Sequence, residues 1–253
     1  MAAVGYILKK CIEFDDYAEK VDMMMACGMD REDACKQWLK KKEPEVKERL
    51  MDVYQSIMYI DHLLENDNSH QTITKTIDER IKEGASFKDA LKKALDIHDE
   101  LFDDVLAKYG PLCRDIHRTH DHKNGFAFML QRICNGDEDD FMEEVAKLVK
   151  HGMDRKRACK IIAKKMENDA KGQLKERYKI LLRALQLLRK SSLHAELQKV
   201  ADMYLCTKGT RFKDAWKRSC AALHHLFDKV IPESIKRISG QDSSQTSSED
   251  DDD

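Results

Sequence analysis

The segment Glu19–Lys42, EKVDMMMACGMDREDACKQWLKKK, returns 124 residues later as EEVAKLVKHGMDRKRACKIIAKKM over Glu143–Met166. A second pair, FKDALKK from Phe87 and FKDAWKR from Phe212, recurs at almost the same interval. Both run on to Leu-Phe-Asp, at Leu101-Phe102-Asp103 and Leu226-Phe227-Asp228. Self-similarity over so long a period constrains the fold more than any single motif, because one backbone has to serve both versions. The chain reads as an all-α internal duplication of a five-to-six-helix module, packed as two helical bundles or a short solenoid. The linear division that follows is a first repeat over 1–109, a linker over 110–125, a second repeat over 126–238 and a disordered acidic tail over 239–253.

Helix is favoured almost throughout, since only 10 Gly and 3 Pro interrupt 253 residues that are 36% charged and 42% apolar. No apolar run approaches the 18 or so residues needed to cross a bilayer, and the start lacks the basic-then-apolar order of a secretory signal. A cytoplasmic protein without integral membrane association is expected. The eight cysteines form no C-x-x-C pair, and only Cys35 and Cys159 match between the copies. They are expected to be reduced, small core-filling residues and not a disulfide framework.

Most of the recurring letters are explained by backbone geometry. Gly28 and Gly152 suit the left-handed residue that closes a helix, and Asp30 and Asp154 suit the N-cap of the next one. Gly84 with Ser86, and Gly209 with Thr210, predict the same kind of turn before Phe87 and Phe212. All four turns share a G-x-x-x-x-x-A pattern ending at Ala34, Ala90, Ala158 and Ala215, which hints at an older, smaller unit. Pro44 suits the first turn of a separate helix reaching about Glu65. A polar loop is expected over 66–71, and one long helix from Phe87 past Val105. On this long helix His98 is expected in the core, whereas His224 and His225 are expected to be exposed. After Pro232 helix is expected to fade.

Chemistry-bearing motifs are scarce. The cluster His117, His120 and His122, with Cys113 nearby, is the one dense set of metal-capable side chains, but it lies in the linker and has no counterpart in the second copy. Asp67-Asn68-Ser69 starts like a calcium loop and lacks the glycine and glutamate that such a loop needs later. No phosphate loop, dinucleotide fingerprint, zinc-protease motif or nucleophile elbow occurs. No catalytic residue, cofactor or metal is therefore assigned, and a non-enzymatic role is expected.

Charge is the remaining signal. Residues 1–125 carry a net −6, residues 126–240 a net +10, and the last 13 residues −6. Lys147, Lys150, Arg155, Lys156, Arg157, Lys160, Lys164 and Lys165 surround the Gly152 turn with one acid, Asp154, among them. This is the candidate surface for an anion or an acidic partner. In the tail, Thr246, Ser247 and Ser248 each precede an acid by three residues, a pattern that suits an acid-directed kinase. The expected function is an intracellular adaptor or scaffold that binds protein partners through two homologous surfaces of unequal charge. The first alternative is a binder of anionic ligands, RNA or phosphoinositide headgroups, through the second half. A tandem death-fold-like signalling module is the other, although its short helices fit the Pro44–Glu65 stretch poorly.

Overall fold

The computed structural model describes residues 2–11, 17–113, 124–136 and 145–241. Among these residues the chain is helical and has no strand. The helices are α1 (Ala2–Cys11), α2 (Tyr17–Ala26), α3 (Arg31–Leu64), α4 (Asn68–Lys82), α5 (Phe87–Ile97), α6 (Asp99–Cys113), α7 (Gly125–Gly136), α8 (Arg155–Arg189), α9 (Ser192–Leu205), α10 (Phe212–Ala222) and α11 (His224–Gln241). A further helical run covers 145–150. No helix of the described residues is long and apolar enough to cross a membrane.

Three boundaries differ from the sequence reading. Helix α3 does not restart at Pro44 but passes through it as one element of 34 residues. Proline removes one backbone donor, and the strong helix formers on both sides keep the remaining ladder intact. The loop expected over 66–71 shrinks to the residues before Asn68, because the Asp67 side chain accepts the His70 N–H and caps α4. The long helix from Phe87 breaks at His98, whose backbone (φ −104°, ψ 28°) leaves the helical region. His98 is consequently a half-buried helix end, bonded through Nε2 to Thr76 Oγ1 at 2.8 Å, and not a core residue. His224 and His225 are exposed. Helix α6 continues through Pro111 to Cys113, α7 already begins at Gly125, and α11 runs through Pro232 to Gln241. Residues 114–123 of the linker and 242–253 of the tail lie outside the described residues.

One compact unit is built from residues 1–59 together with 182–253, the other from 60–181. Each unit thus contains one member of each recurring pair of segments.

In the first unit Tyr54, near the middle of α3, is fully buried beside Trp216 and Phe227, with ring centroids 5.7 and 6.3 Å away. Its hydroxyl shares a 2.7 Å hydrogen bond with Nδ1 of His194, which stacks on Trp216 at an interplanar angle of 9°. Lys47 pairs with Asp228 in the same unit, and Cys220, in α10, is buried. Burial pushes the Cys220 thiol up to about 12, so it packs as a small hydrophobe.

In the second unit Tyr178 of α8 is fully buried beside Phe102 and Phe126, at 5.9 and 5.1 Å. The Tyr178 hydroxyl shares a 2.8 Å bond with Nδ1 of His70. Lys171 pairs with Asp103 at 2.7 Å and also holds Asp99, which Lys175 contacts as well. These two ammonium groups hold the Asp99 carboxyl down to about 2. Gly125 opens α7 where any side chain would collide: a Cβ there would lie 2.5 Å from Leu64 Cγ.

Five positions of the two sets of contacts correspond. Tyr178, His194 and Lys171 follow Tyr54, His70 and Lys47 by one interval of 124, and Phe227 and Asp228 follow Phe102 and Asp103 by 125. Tyr54 and Tyr178 are thus each bonded to the histidine that lies one interval away from the partner of the other, and Lys47 and Lys171 to aspartates related in the same way.

Burial, then the charge of Arg189, lowers the His194 pKa below its ordinary value. The unfolded chain therefore takes up a proton there near pH 6.5 that the folded chain resists. The stability that His194 contributes is present above that pH and is lost as pH falls towards the depressed folded value. Urea midpoints measured between pH 7.5 and 5 are expected to fall, and to fall less in His194→Gln.

Candidate functional site

The two GMD turns carry the most divergent surfaces on the most similar backbones. In both, the helix ends in a left-handed glycine, Gly28 at φ 91° and Gly152 at φ 87°. The Gly28 N–H donates to Met25 O and the Met29 N–H to Met24 O, at 2.9 and 3.2 Å. Gly152 and Met153 repeat this with Val149 O and Leu148 O, at 2.9 and 3.1 Å. This pairing satisfies carbonyls that the ending helix leaves open, and only glycine adopts it without a steric penalty. Asp30 Oδ1 then accepts the Asp33 N–H at 3.0 Å, and Asp154 Oδ2 the Arg157 N–H at 3.1 Å. That bond holds the Asp30 carboxyl below its ordinary pKa. Beneath each turn lies a small apolar cluster: Val21 and Ala34 with Met24 and Met29, and Val145 and Ala158 with Leu148 and Met153.

The other two turns share the glycine and the alanine. Gly84 (φ 92°) precedes Ser86, whose Oγ accepts the Asp89 N–H at 3.2 Å. Gly209 (φ 88°) precedes Arg211, which caps α10 without a side-chain bond. Ala34, Ala90, Ala158 and Ala215 are all buried.

What differs is the exposed face. Around Gly152 the structure exposes Lys147, Lys150, His151, Arg155, Lys156 and Arg157. The backbone of Lys160, Lys164 and Lys165 continues along α8, and their side chains lie outside the described residues. Helix α8 has no acid in its first turn, whereas α3 has Glu32 and Asp33 in theirs. Lys36 pairs with both of these acids, at 3.0 and 3.6 Å. The first turn of a helix is the end where positive charge is least favourable, because the backbone dipole is positive there. Arg155, Lys156 and Arg157 therefore sit against the local field and add to it, which a merely solubilising face has no reason to do.

Around Gly28 the face is apolar and rich in sulfur. Lys20, Met23, Met24, Cys27, Gly28 and Met29 line an open groove of about 420 Å³. Met23 is 59% exposed and Cys27 is exposed. Cys206 is exposed as well, so the expectation that the cysteines fill the core holds for Cys220 and fails for these two. The groove was missed in the sequence because the run Met23-Met24-Met25 reads as helix packing. Its signal was the contrast with Lys147-Leu148-Val149 in the other copy.

The described residues hold no group of three His, Cys, Asp or Glu able to share a metal ion. His117, His120, His122, Thr246, Ser247 and Ser248 lie outside the described residues. Comparison of the chain with known protein families, with curated proteins and with solved structures returns no match.

The dipole argument has a measurable consequence. Replacing Lys156→Glu and Arg157→Asp, which copies Glu32 and Asp33 into α8, is expected to stabilise the protein by about 0.3–1 kcal/mol per site at low salt. Urea unfolding at low and high salt checks this, with the gain shrinking as salt rises.

Proposed function

We propose that the chain is a tandem of one helical module, each copy of five to six helices, and that it works as a non-enzymatic adaptor. Its two GMD turns are equivalent surfaces of unequal charge that hold different partners. The supporting observation is the first turn of α8, where Lys156 and Arg157 stand in place of Glu32 and Asp33 beside an unchanged arginine, Arg155 for Arg31. This places the positive surface at a helix end that stability alone would make acidic. An acidic protein segment is the partner that this surface fits. RNA and phosphoinositide headgroups share the negative charge. Few aromatic rings accompany these bases, which disfavours stacking on single-stranded RNA. The 34-residue α3 fits the short helices of a death-fold module poorly.

The acidic tail supplies a competitor for the same surface, and phosphorylation of Thr246, Ser247 or Ser248 would strengthen it.

The test is fluorescence anisotropy with the full chain against a labelled acidic peptide, a single-stranded RNA and phosphoinositide vesicles, each at two salt concentrations. The acidic peptide is expected to bind best, and Lys156→Glu/Arg157→Asp to weaken it by about tenfold at low salt. Deleting residues 241–253 is expected to tighten binding at low salt. Equal binding by the wild-type and charge-reversed chains overturns the assignment of the surface. Preferential retention of RNA or vesicles overturns the choice of partner.

A further inference from the structure

Packing explains Met29, whose counterpart Met153 holds the same kind of cluster, but not the sulfur at the other three positions of the groove. In the second hairpin the same small apolar cluster is completed by Leu148 and Met153, and the positions of Met23 and Cys27 are taken by Lys147 and His151. A leucine therefore suffices where Met24 stands, and no sulfur is needed where Met23 and Cys27 stand. Yet the first turn places one thiol and three thioethers around a single open groove.

The backbone brings these atoms together. Met23 and Met24 lie in the last turn of α2, and Cys27 follows its last residue. The Cys27 N–H is bonded to Met23 O at 3.2 Å and Met24 O at 3.1 Å, so that the spacings of four and three residues keep their helical geometry. Such pairs share a helix face with Cβ atoms about 5–6 Å apart, within reach of one bound ion for side chains of this length. The left-handed Gly28 then reverses the chain, and the bond from the Met29 N–H to Met24 O returns Met29 to the same small cluster as Met24. Gly28 adds no side chain, and nothing lies within 4 Å of where its Cβ would be, so the mouth stays open.

We propose that Met23, Met24, Cys27 and Met29 form a binding site for a soft monovalent cation, copper(I). Thiolate and thioether ligands select copper(I) over the hard cations that carboxylates and carbonyls hold. Cys27 supplies the anionic ligand: the S–H bond breaks, the proton leaves to solvent, and a sulfur–copper bond forms with no change of oxidation state. The thioethers complete a neutral complex. Neutrality suits a groove that Lys20 also lines, where its ammonium repels a dication more than a charge-compensated copper(I).

The test uses the full chain under anaerobic, reducing conditions, with copper(I) shared against a chromophoric chelator. Wild type is compared with Cys27→Ser and with Met23→Leu/Met24→Leu/Met29→Leu, and circular dichroism checks that each variant keeps its helicity. The proposal expects wild type to withhold one equivalent that both variants release, with affinity at least tenfold weaker in the leucine variant. Unchanged retention by the leucine variant identifies ordinary thiol binding and overturns the proposal. Unchanged retention by Cys27→Ser places the metal at another cysteine and overturns it too. Methionine methyl resonances of the wild-type chain, titrated with one equivalent of silver(I), give an answer that needs no variant. The methyls of Met23, Met24 and Met29 are expected to shift together, and an absence of shift is the contrary result.

Discussion

A buried tyrosine hydroxyl needs a partner, and in this chain the partner comes from a segment more than 100 residues away. Tyr54 and Tyr178 are each enclosed by aromatic rings, and each reaches one imidazole nitrogen at 2.7 or 2.8 Å. Leaving such a hydroxyl unsatisfied costs about 1–3 kcal/mol, and losing the surrounding ring contacts costs more. The histidines, His194 and His70, lie in α9 and α4, the helices that follow α8 and α3. Each long helix is therefore bonded to the helix that follows the other one. The lysine–aspartate pairs at Lys47 and Lys171 add a further long-range contact to α3 and α8.

The GMD turns show the complementary behaviour. Their left-handed glycines, capping aspartates and buried alanines are held constant because each meets a backbone requirement. The side chains between them meet none, and so one face has become cationic and the other sulfur-rich. Fold and surface are specified by different residues of the same short segment, and this lets one scaffold present two chemistries.

Much of this was legible in the letters. The turns were readable because glycine at a left-handed position and aspartate at a cap have specific physical causes. The stripe Leu174, Tyr178, Leu181, Leu185 and Leu188, spaced by four and three residues, is buried as helical periodicity requires. Pro44 and Pro232 misled, since a proline within a long helix is tolerated where packing holds both flanks. His98 misled in the other direction, as a helix break with no glycine or proline to mark it. Which tyrosine each histidine meets was not legible at all, because the recurring segments satisfy the same apolar pattern and the same bond either way. Even so, the recurrence of His70 at His194, at the same interval as Tyr54 and Tyr178, marked the bond without revealing whose tyrosine each histidine meets.

The most direct measurement is the behaviour of the two copies when separated. Residues 1–123 and 124–253 are produced as independent chains and their mass and unfolding followed by light scattering and urea titration. Interdependent copies predict that neither chain is a folded monomer: each alone is unfolded or pairs with itself, and mixing yields a one-to-one complex with a cooperative transition. Two stable monomers, each unfolding sharply in isolation and ignoring the other, would contradict the account.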